Sequence, residues 1–143
     1  MEIAKRQLES ASVTLVDGLH FVGEVGDVRI DLDAEESVGG MGAGPQPHRL
    51  LLLAMAGCTA MDVLSILRKK RQQVDGLSVE VQGSRANQHP RVYTRFEVLY
   101  RVRGTHIDPQ AVARAIELST TRYCPVIGML GKVAEVVTRY EIA

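Results

Sequence analysis

The stretch Pro47-His-Arg-Leu-Leu-Leu-Leu-Ala-Met-Ala-Gly-Cys-Thr-Ala-Met-Asp62 decides the fold of this protein. Its residues 50–61 favour a helix that is apolar on nearly every side, and such a helix must be surrounded by protein. We expect the helix to start at Pro47, because proline is tolerated in the first turn, and to end near Gln73 after the basic run 68–71. One small sheet covers only one side of it, so the sequence predicts a partner subunit.

The composition indicates an ordinary globular protein. The length of 143 residues suits one domain, and we predict a single domain over residues 1–143. The 17 basic and 17 acidic residues balance, which argues against nucleic-acid or membrane-surface partners. The N-terminus lacks the apolar region of a signal peptide, and the apolar run 50–61 is too short to cross a bilayer. We therefore predict no membrane association and a cytoplasmic location, where thiols stay reduced.

The remaining elements predict a fold that mixes strands and helices. Asp17-Gly18 is typical of a hairpin turn, and Asp108-Pro109 is typical of a helix start. The glycine-rich loop at residues 35–47 lacks the Gly-Lys-Ser/Thr ending of a phosphate loop, so an active-site or surface loop is expected. We predict strands at residues 12–16, 19–25, 28–32, 77–82, 91–103 and 134–142, and shorter helices at residues 109–121 and 126–130. This order, with hairpins and no crossovers, predicts an α+β fold with antiparallel sheet.

Two cysteines in unlike settings are the best indication of function. Cys124 precedes Pro125, which favours a helix N-cap, and the N–H groups and dipole there lower a thiol pKa. Arg122 is close enough in sequence to add to this effect, although a buried capping residue is the alternative. Cys58 lies in mid-helix and by itself reads as a core thiol. Asp62 shares its helix face and, if ionised, opposes thiolate formation.

The sequence predicts no metal site and no cofactor. The four histidines have no short spacing to either cysteine, and no Cys-x-x-Cys is present.

The helix motif that ends Ala-Gly-Cys58-Thr-Ala-Met-Asp62, followed downstream by Tyr123-Cys124-Pro-Val, resembles the OsmC/Ohr superfamily of osmotically inducible and organic hydroperoxide resistance proteins. The likeness covers nearly the whole chain and is closest to the OsmC-like branch. It implies antiparallel sheets wrapped around a long central apolar helix, in an intertwined homodimer with two active sites at the interface.

The resemblance also implies the chemistry. The cysteine matching Cys58 attacks an organic hydroperoxide and becomes a sulfenic acid, which the cysteine matching Cys124 resolves into a disulfide. A dithiol reductant restores the pair, through a lipoylated protein in the best-known members. The expected function is therefore a thiol-dependent organic hydroperoxide reductase in oxidative-stress defence.

The sequence departs from the family pattern at the groups that activate the nucleophile. The hydroperoxidases use an arginine from the N-terminal strands and a glutamate ten residues before the cysteine. Here position 48 is histidine, and the hairpin at residues 16–20 has no arginine. On one straight helix, residues 48 and 58 would lie roughly 15 Å apart. The candidate activating or pocket residues are His20, Glu24, His48, Arg49, Asp62 and Arg122. The absence of this arginine and this glutamate favours two alternatives: a noncatalytic binder of a small apolar ligand, and a redox sensor.

Overall fold

A computed structural model describes residues 8–143, which divide into one compact unit that ends at Leu50 and a second that runs from Leu51 to Ala143. The segment judged above for a signal peptide lies mostly in residues 1–7, outside the described residues. The assignment of residues 1–143 to a single domain stays a prediction.

The first unit contains a three-stranded antiparallel meander in the order β1-β2-β3. Its strands are β1 Ala11–Asp17, β2 His20–Val25 and β3 Val28–Leu32. The first turn is one residue later than predicted, because Asp17 pairs with His20 and the turn residues are Gly18 and Leu19. Gly18 has a φ of +54°, which glycine adopts without steric cost, and this fixes the turn there.

The glycine-rich loop after β3 folds around one carboxylate. Asp33 is 2% exposed and accepts hydrogen bonds from the backbone N–H groups of Ala34, Met41 and Ala43. These bonds, with Ala43 the strongest, lower the pKa of Asp33 against the opposing effect of burial. Three backbone N–H groups of this surface loop thus bind one buried carboxylate, which holds the loop in its conformation.

The second unit packs helices on a three-stranded sheet in the order β4-β5-β6. A turn of 3₁₀ helix, Pro47–Arg49, precedes α1. The elements are α1 Leu50–Lys69, β4 Gln73–Arg85, β5 Tyr93–Thr105, α2 Pro109–Leu118, a π-helical turn Ser119–Tyr123, α3 Pro125–Leu130 and β6 Glu135–Ile142. The α+β class and the long apolar helix agree with the expectation.

Several details of this unit differ from the prediction. β4 covers Gln73–Arg85 rather than residues 77–82, and α2 ends at Leu118 rather than at residue 121. The first helix ends at Lys69 rather than near Gln73, because Arg71 takes a left-handed φ of 59° and β4 begins at Gln73. The last strand pairs parallel to β5, so the expectation of an all-antiparallel sheet without crossovers was wrong. A parallel partner requires a crossover connection, and α2 and α3 supply it by returning the chain to the start of β5.

The core of the second unit lies between one stripe of α1 and one face of β5. Met55, Thr59, Val63 and Leu67 follow each other at four-residue spacing and are fully buried. They pack against alternate residues of β5 and against α2 in a cluster that includes Phe96, Val98, Tyr100, Val102, Val112, Ala115 and Ile116. Alternate residues of β5 from Phe96 to Val102 are thus buried on one face of the strand.

Part of α1 outside this stripe is exposed among the described residues. Leu53 is 67% exposed and Met61 is 75% exposed. The helical stretch Pro47–Lys69 is also long and apolar enough to cross a membrane, unlike the shorter run considered above, and 22% of its most apolar window is buried. The contacts of its buried stripe favour the core helix of a globular unit.

Candidate active site

The structure brings three of the predicted site residues together within the second unit. Cys58 and Asp62 lie one turn apart on α1, and Cys124 precedes α3. The two sulfur atoms and a carboxylate oxygen of Asp62 all lie within 4.8 Å of one another. Both cysteines are free thiols. Two thiols and one acidic group therefore share a single small volume.

Cys124 is the N-cap of α3, as predicted, but its thiol is not activated there. Its sulfur accepts a hydrogen bond from the backbone N–H of Ile127 at 3.4 Å. Burial raises the pKa of Cys124 to about 11 and outweighs the lowering by the N–H groups of Ile127 and Val126. The adjacent Cys58 thiol raises this pKa further. The expected lowering of the Cys124 pKa was therefore wrong, because the side chain is only 4% exposed.

Cys58 is the more accessible thiol of the pair. It is partly exposed, whereas Cys124 is buried. A Cβ atom on the preceding Gly57 would meet no atom within 4 Å, apart from its chain neighbours and the helix backbone around it. The helix surface beside the Cys58 sulfur is thus open, so a small reagent can approach this thiol first.

A chain of hydroxyl groups holds the carboxylate of Asp62. Ser119 donates a hydrogen bond to Asp62 Oδ2 at 3.0 Å. The hydroxyl of Ser119 lies 2.8 Å from Thr59 Oγ1, which in turn lies 2.7 Å from the hydroxyl of Tyr100. Each hydroxyl has one proton, so the bond to Asp62 fixes the direction: Tyr100 donates to Thr59, and Thr59 donates to Ser119. Burial raises the pKa of Tyr100 to about 12, which keeps it a donor.

The sequence did not single out the three hydroxyl residues of this chain. Thr59 and Tyr100 lie on the buried stripes that periodicity identifies, and a polar group at such a position needs a partner. That rule marks both residues as members of a polar network. It does not identify Ser119, which meets Thr59 only through the packing of the π-helical turn against α1.

The other predicted site residues have different surroundings. In the first unit, His20 Nε2 lies 2.8 Å from Asp31, and Glu24 lies 3.6 Å from Arg29. His48 and Arg49 belong to the 3₁₀ turn before α1. In the second unit, the guanidinium of Arg122 lies over the ring of Tyr123, 5.6 Å from its centroid.

A groove of about 380 Å³ opens beside Asp62. Its lining includes the apolar side chains of Ile66, Leu118 and Tyr123 and the basic residues Lys69 and Lys70. The groove thus provides an apolar surface next to Asp62, the acidic member of the cluster.

Comparison with known proteins gives consistent matches over most of the chain. A family model described as OsmC-like protein matches residues 40–139. Protein YhfA of Escherichia coli (strain K12) is 36% identical over 133 residues, which is 92% of this chain and 96% of that protein.

Solved structures share the fold. The crystal structure of a hypothetical protein from Aquifex aeolicus VF5 is 27% identical, with a TM-score of 0.86 over 96% of this chain and 98% of that chain. An organic hydroperoxide resistance protein OsmC from Legionella pneumophila matches with a TM-score of 0.67 at 17% identity, over 94% of this chain and 97% of that chain. The second match shows a common fold only. With the family model covering well over half of its residues, the chain belongs to the OsmC-like protein family.

Proposed function

We propose that this protein is a thiol-dependent organic hydroperoxide reductase in which Cys58 is the nucleophile and Cys124 the resolving thiol. Membership of the OsmC-like family and the fold shared with a hydroperoxide resistance protein support a redox or stress-response role. The observation that carries the proposal is the pair of free thiols within 4.8 Å, of which Cys58 is the accessible one.

Two steps oxidise the pair of thiols, and a third step reduces it again. The Cys58 thiolate attacks one oxygen of the hydroperoxide, the O–O bond breaks, and the alkoxide takes up a proton and leaves as an alcohol. The Cys58 sulfenic acid then reacts with Cys124, so that a disulfide forms and water leaves. A dithiol reductant, such as a lipoylated protein, returns two electrons and two protons and becomes a disulfide itself.

The surroundings of the pair fit these roles. The partly exposed position of Cys58 lets a peroxide reach it, while the buried Cys124 stays protonated until a sulfenic acid forms beside it. Asp62, held by Ser119, is placed to pass a proton between Cys58 and the leaving oxygen through one water molecule. The apolar wall of the groove beside Asp62 suits the organic group of the substrate.

We further propose that the protein acts as a homodimer in the cytoplasm. The uncovered face of α1 carries Leu51, Leu53 and Met61, and the sheet of the first unit leaves Val13, Leu15, Val25, Val28 and Ile30 exposed. Apolar surface of this extent is typical of an interface. A second copy of the chain is the occupant that the family resemblance implies.

The test follows thiol loss when reduced protein meets cumene hydroperoxide in the absence and presence of a dithiol. Wild-type protein should lose two thiols per chain and turn over when the dithiol is supplied. The Cys58→Ser variant should lose none, and the Cys124→Ser variant should lose one and accumulate a sulfenic acid that dimedone traps. Consumption of peroxide by Cys58→Ser at the wild-type rate would overturn the assignment.

A slow redox sensor is the second candidate, and the raised pKa of Cys124 favours it because a protonated thiol resolves a sulfenic acid slowly. Steady-state turnover with excess dithiol separates the two functions. One oxidation per pair without recycling would identify the sensor.

A further inference from the structure

The cluster of Cys58, Asp62 and Cys124 also has the donor set of a metal site. Two thiols and a carboxylate converge from two helices, and these are ligand types that zinc takes in proteins. The sequence does not indicate this set, because the usual search for paired cysteines and histidines at short spacing does not include a cysteine and an aspartate four residues apart on a helix.

The distances are close to those of a zinc site. Zinc binds sulfur at about 2.3 Å and carboxylate oxygen at about 2.0–2.2 Å, so ligand atoms around a tetrahedral ion lie roughly 3.3–3.8 Å apart. The three donor atoms here lie within 4.8 Å of one another. Contraction by at most about 1.5 Å, which is within the range of side-chain rotation, produces the tetrahedral spacing.

Two of the ligands are already oriented by hydrogen bonds from other groups. Ser119 holds Oδ2 of Asp62, and the backbone N–H of Ile127 donates to the sulfur of Cys124. Hydrogen bonds of this kind fix the ligands of metal sites in position and tune their basicity. Ser119 is itself fixed by Thr59, so the carboxylate is held through the buried core.

The three ligands leave the fourth side of the cluster open. Cys124 closes the buried side, whereas Cys58 and Asp62 are both partly exposed. Zinc sites with three protein ligands keep their fourth position for water or a substrate, unlike closed structural sites.

We propose that Cys58, Asp62 and Cys124 bind one Zn²⁺ ion in the reduced protein, with water or a small oxygen or thiol ligand in the fourth position. Both sulfurs bind as thiolates and release their protons, so zinc binding and disulfide formation exclude each other. The metal therefore protects the pair from oxidation. This inference uses the thiol pair of the proposed reductase but does not depend on peroxidase activity.

Binding is measured by competition with a chromophoric chelator on reduced, chelator-washed protein of full length. One Zn²⁺ per chain is expected, and Co²⁺ in its place should give thiolate-to-metal charge-transfer absorption. Oxidation of the pair with diamide should abolish binding, and reduction should restore it. Binding that survives oxidation unchanged would overturn the proposal.

Variants separate the site from adventitious binding to thiols. Asp62→Asn should weaken Zn²⁺ binding at least about tenfold, and so should the near-isosteric Cys58→Ser, which removes a partly exposed group. The matched control is Asp75→Asn, because Asp75 lies exposed on β4 of the same unit, and it should bind like wild type. Wild-type affinity in either site variant would contradict the proposed ligand set.

A protection assay connects the metal to the redox chemistry. One equivalent of Zn²⁺ should slow thiol loss to hydroperoxide at least about tenfold, if the pair reacts with hydroperoxide at all, and should slow alkylation by iodoacetamide as strongly. A protein that binds zinc and resists alkylation but never consumes peroxide would support this inference and overturn the reductase. A protein that reduces peroxide but binds no zinc would support the reductase and overturn this inference.

Discussion

The two thiols of this protein lie within 4.8 Å of each other yet have opposite surroundings. Cys58 sits in the middle of the apolar α1, where local sequence favours an inert thiol, and it is partly exposed. Cys124 sits at a helix N-terminus, where local sequence favours a reactive thiol, and burial raises its pKa to about 11. The difference teaches that burial, rather than the position at a helix N-terminus, sets the direction of the pKa shift of Cys124, and that tertiary packing leaves Cys58 the more accessible thiol.

Removal of each thiol in turn tests this comparison with the largest expected effect. Cys58→Ser should lower the rate of hydroperoxide consumption on the order of a thousandfold or more, because the nucleophile is lost. Cys124→Ser should keep the first oxidation at a rate within about threefold of wild type, since serine preserves the N-cap. Stopped-flow measurement of thiol loss checks both. If Cys124→Ser alone abolishes the first step, the roles of the two thiols are reversed.

Substitutions in the hydroxyl chain of Tyr100, Thr59 and Ser119 test how much this chain contributes to stability. Thr59→Val removes a buried group that bonds to both Tyr100 and Ser119, so it should lower the free energy of unfolding by about 1–3 kcal/mol. Urea denaturation measures the change. Tyr100→Phe is the matched control, because it removes only the terminal donor and should cost about 1 kcal/mol. An equal or larger cost for Tyr100→Phe would show that the chain is not arranged as described.

Alkaline pH should destabilise the protein through its buried acids. The pKa of Cys124 is raised from an ordinary value of 9.0 to about 11, so between these values the unfolded chain loses a proton that the folded chain keeps. The stability contribution of the buried thiol is complete below pH 9 and falls as the pH rises toward 11. At pH 10 the loss should be about 1 kcal/mol.

Urea denaturation from pH 8 to pH 10, with a reductant present, measures this dependence. Tyr100, with its pKa raised to about 12, adds to the fall only above about pH 10. Cys124→Ser should show a flatter profile between pH 9 and pH 10, and an unchanged slope would indicate that this thiol is not buried in solution.

The smallest effect is expected at Arg122, a cationic residue close in sequence to the buried Cys124. The guanidinium of Arg122 lies over the exposed ring of Tyr123. Arg122→Ala should therefore change the rate of thiol oxidation less than about twofold and stability by less than about 0.5 kcal/mol. A loss of tenfold or more in the oxidation rate would assign Arg122 to activation of the pair and would contradict the arrangement described.

Local signals predicted much of the fold. The Asp108 cap and the start of α3 after Cys124 both appear where the sequence predicted them. The largest errors were at the end of α1 and in the partner of β6, with smaller ones in the first turn and in the length of β4. A left-handed residue at Arg71 has no strong sequence signal, and the direction of pairing depends on where a crossover returns the chain.

The candidate site was predicted only in part. The family resemblance identified Cys58 and Cys124, and helix periodicity placed Asp62 on the same face as Cys58. Neither identified Ser119, which fixes Asp62 from the π-helical turn after α2. A hydrogen bond between residues so distant in sequence leaves no pattern in a single chain.

The sequence by itself determined the elements of this protein, the apolar character of its long helix and the capping position of Cys124, because propensity, capping and periodicity act over a few residues. Only the tertiary structure decided that β6 runs parallel to β5, that two thiols and a carboxylate share one volume, and that the capped thiol has a raised pKa. These properties depend on which distant segments of the chain pack together and exclude water. A local sequence pattern carries no information on that packing.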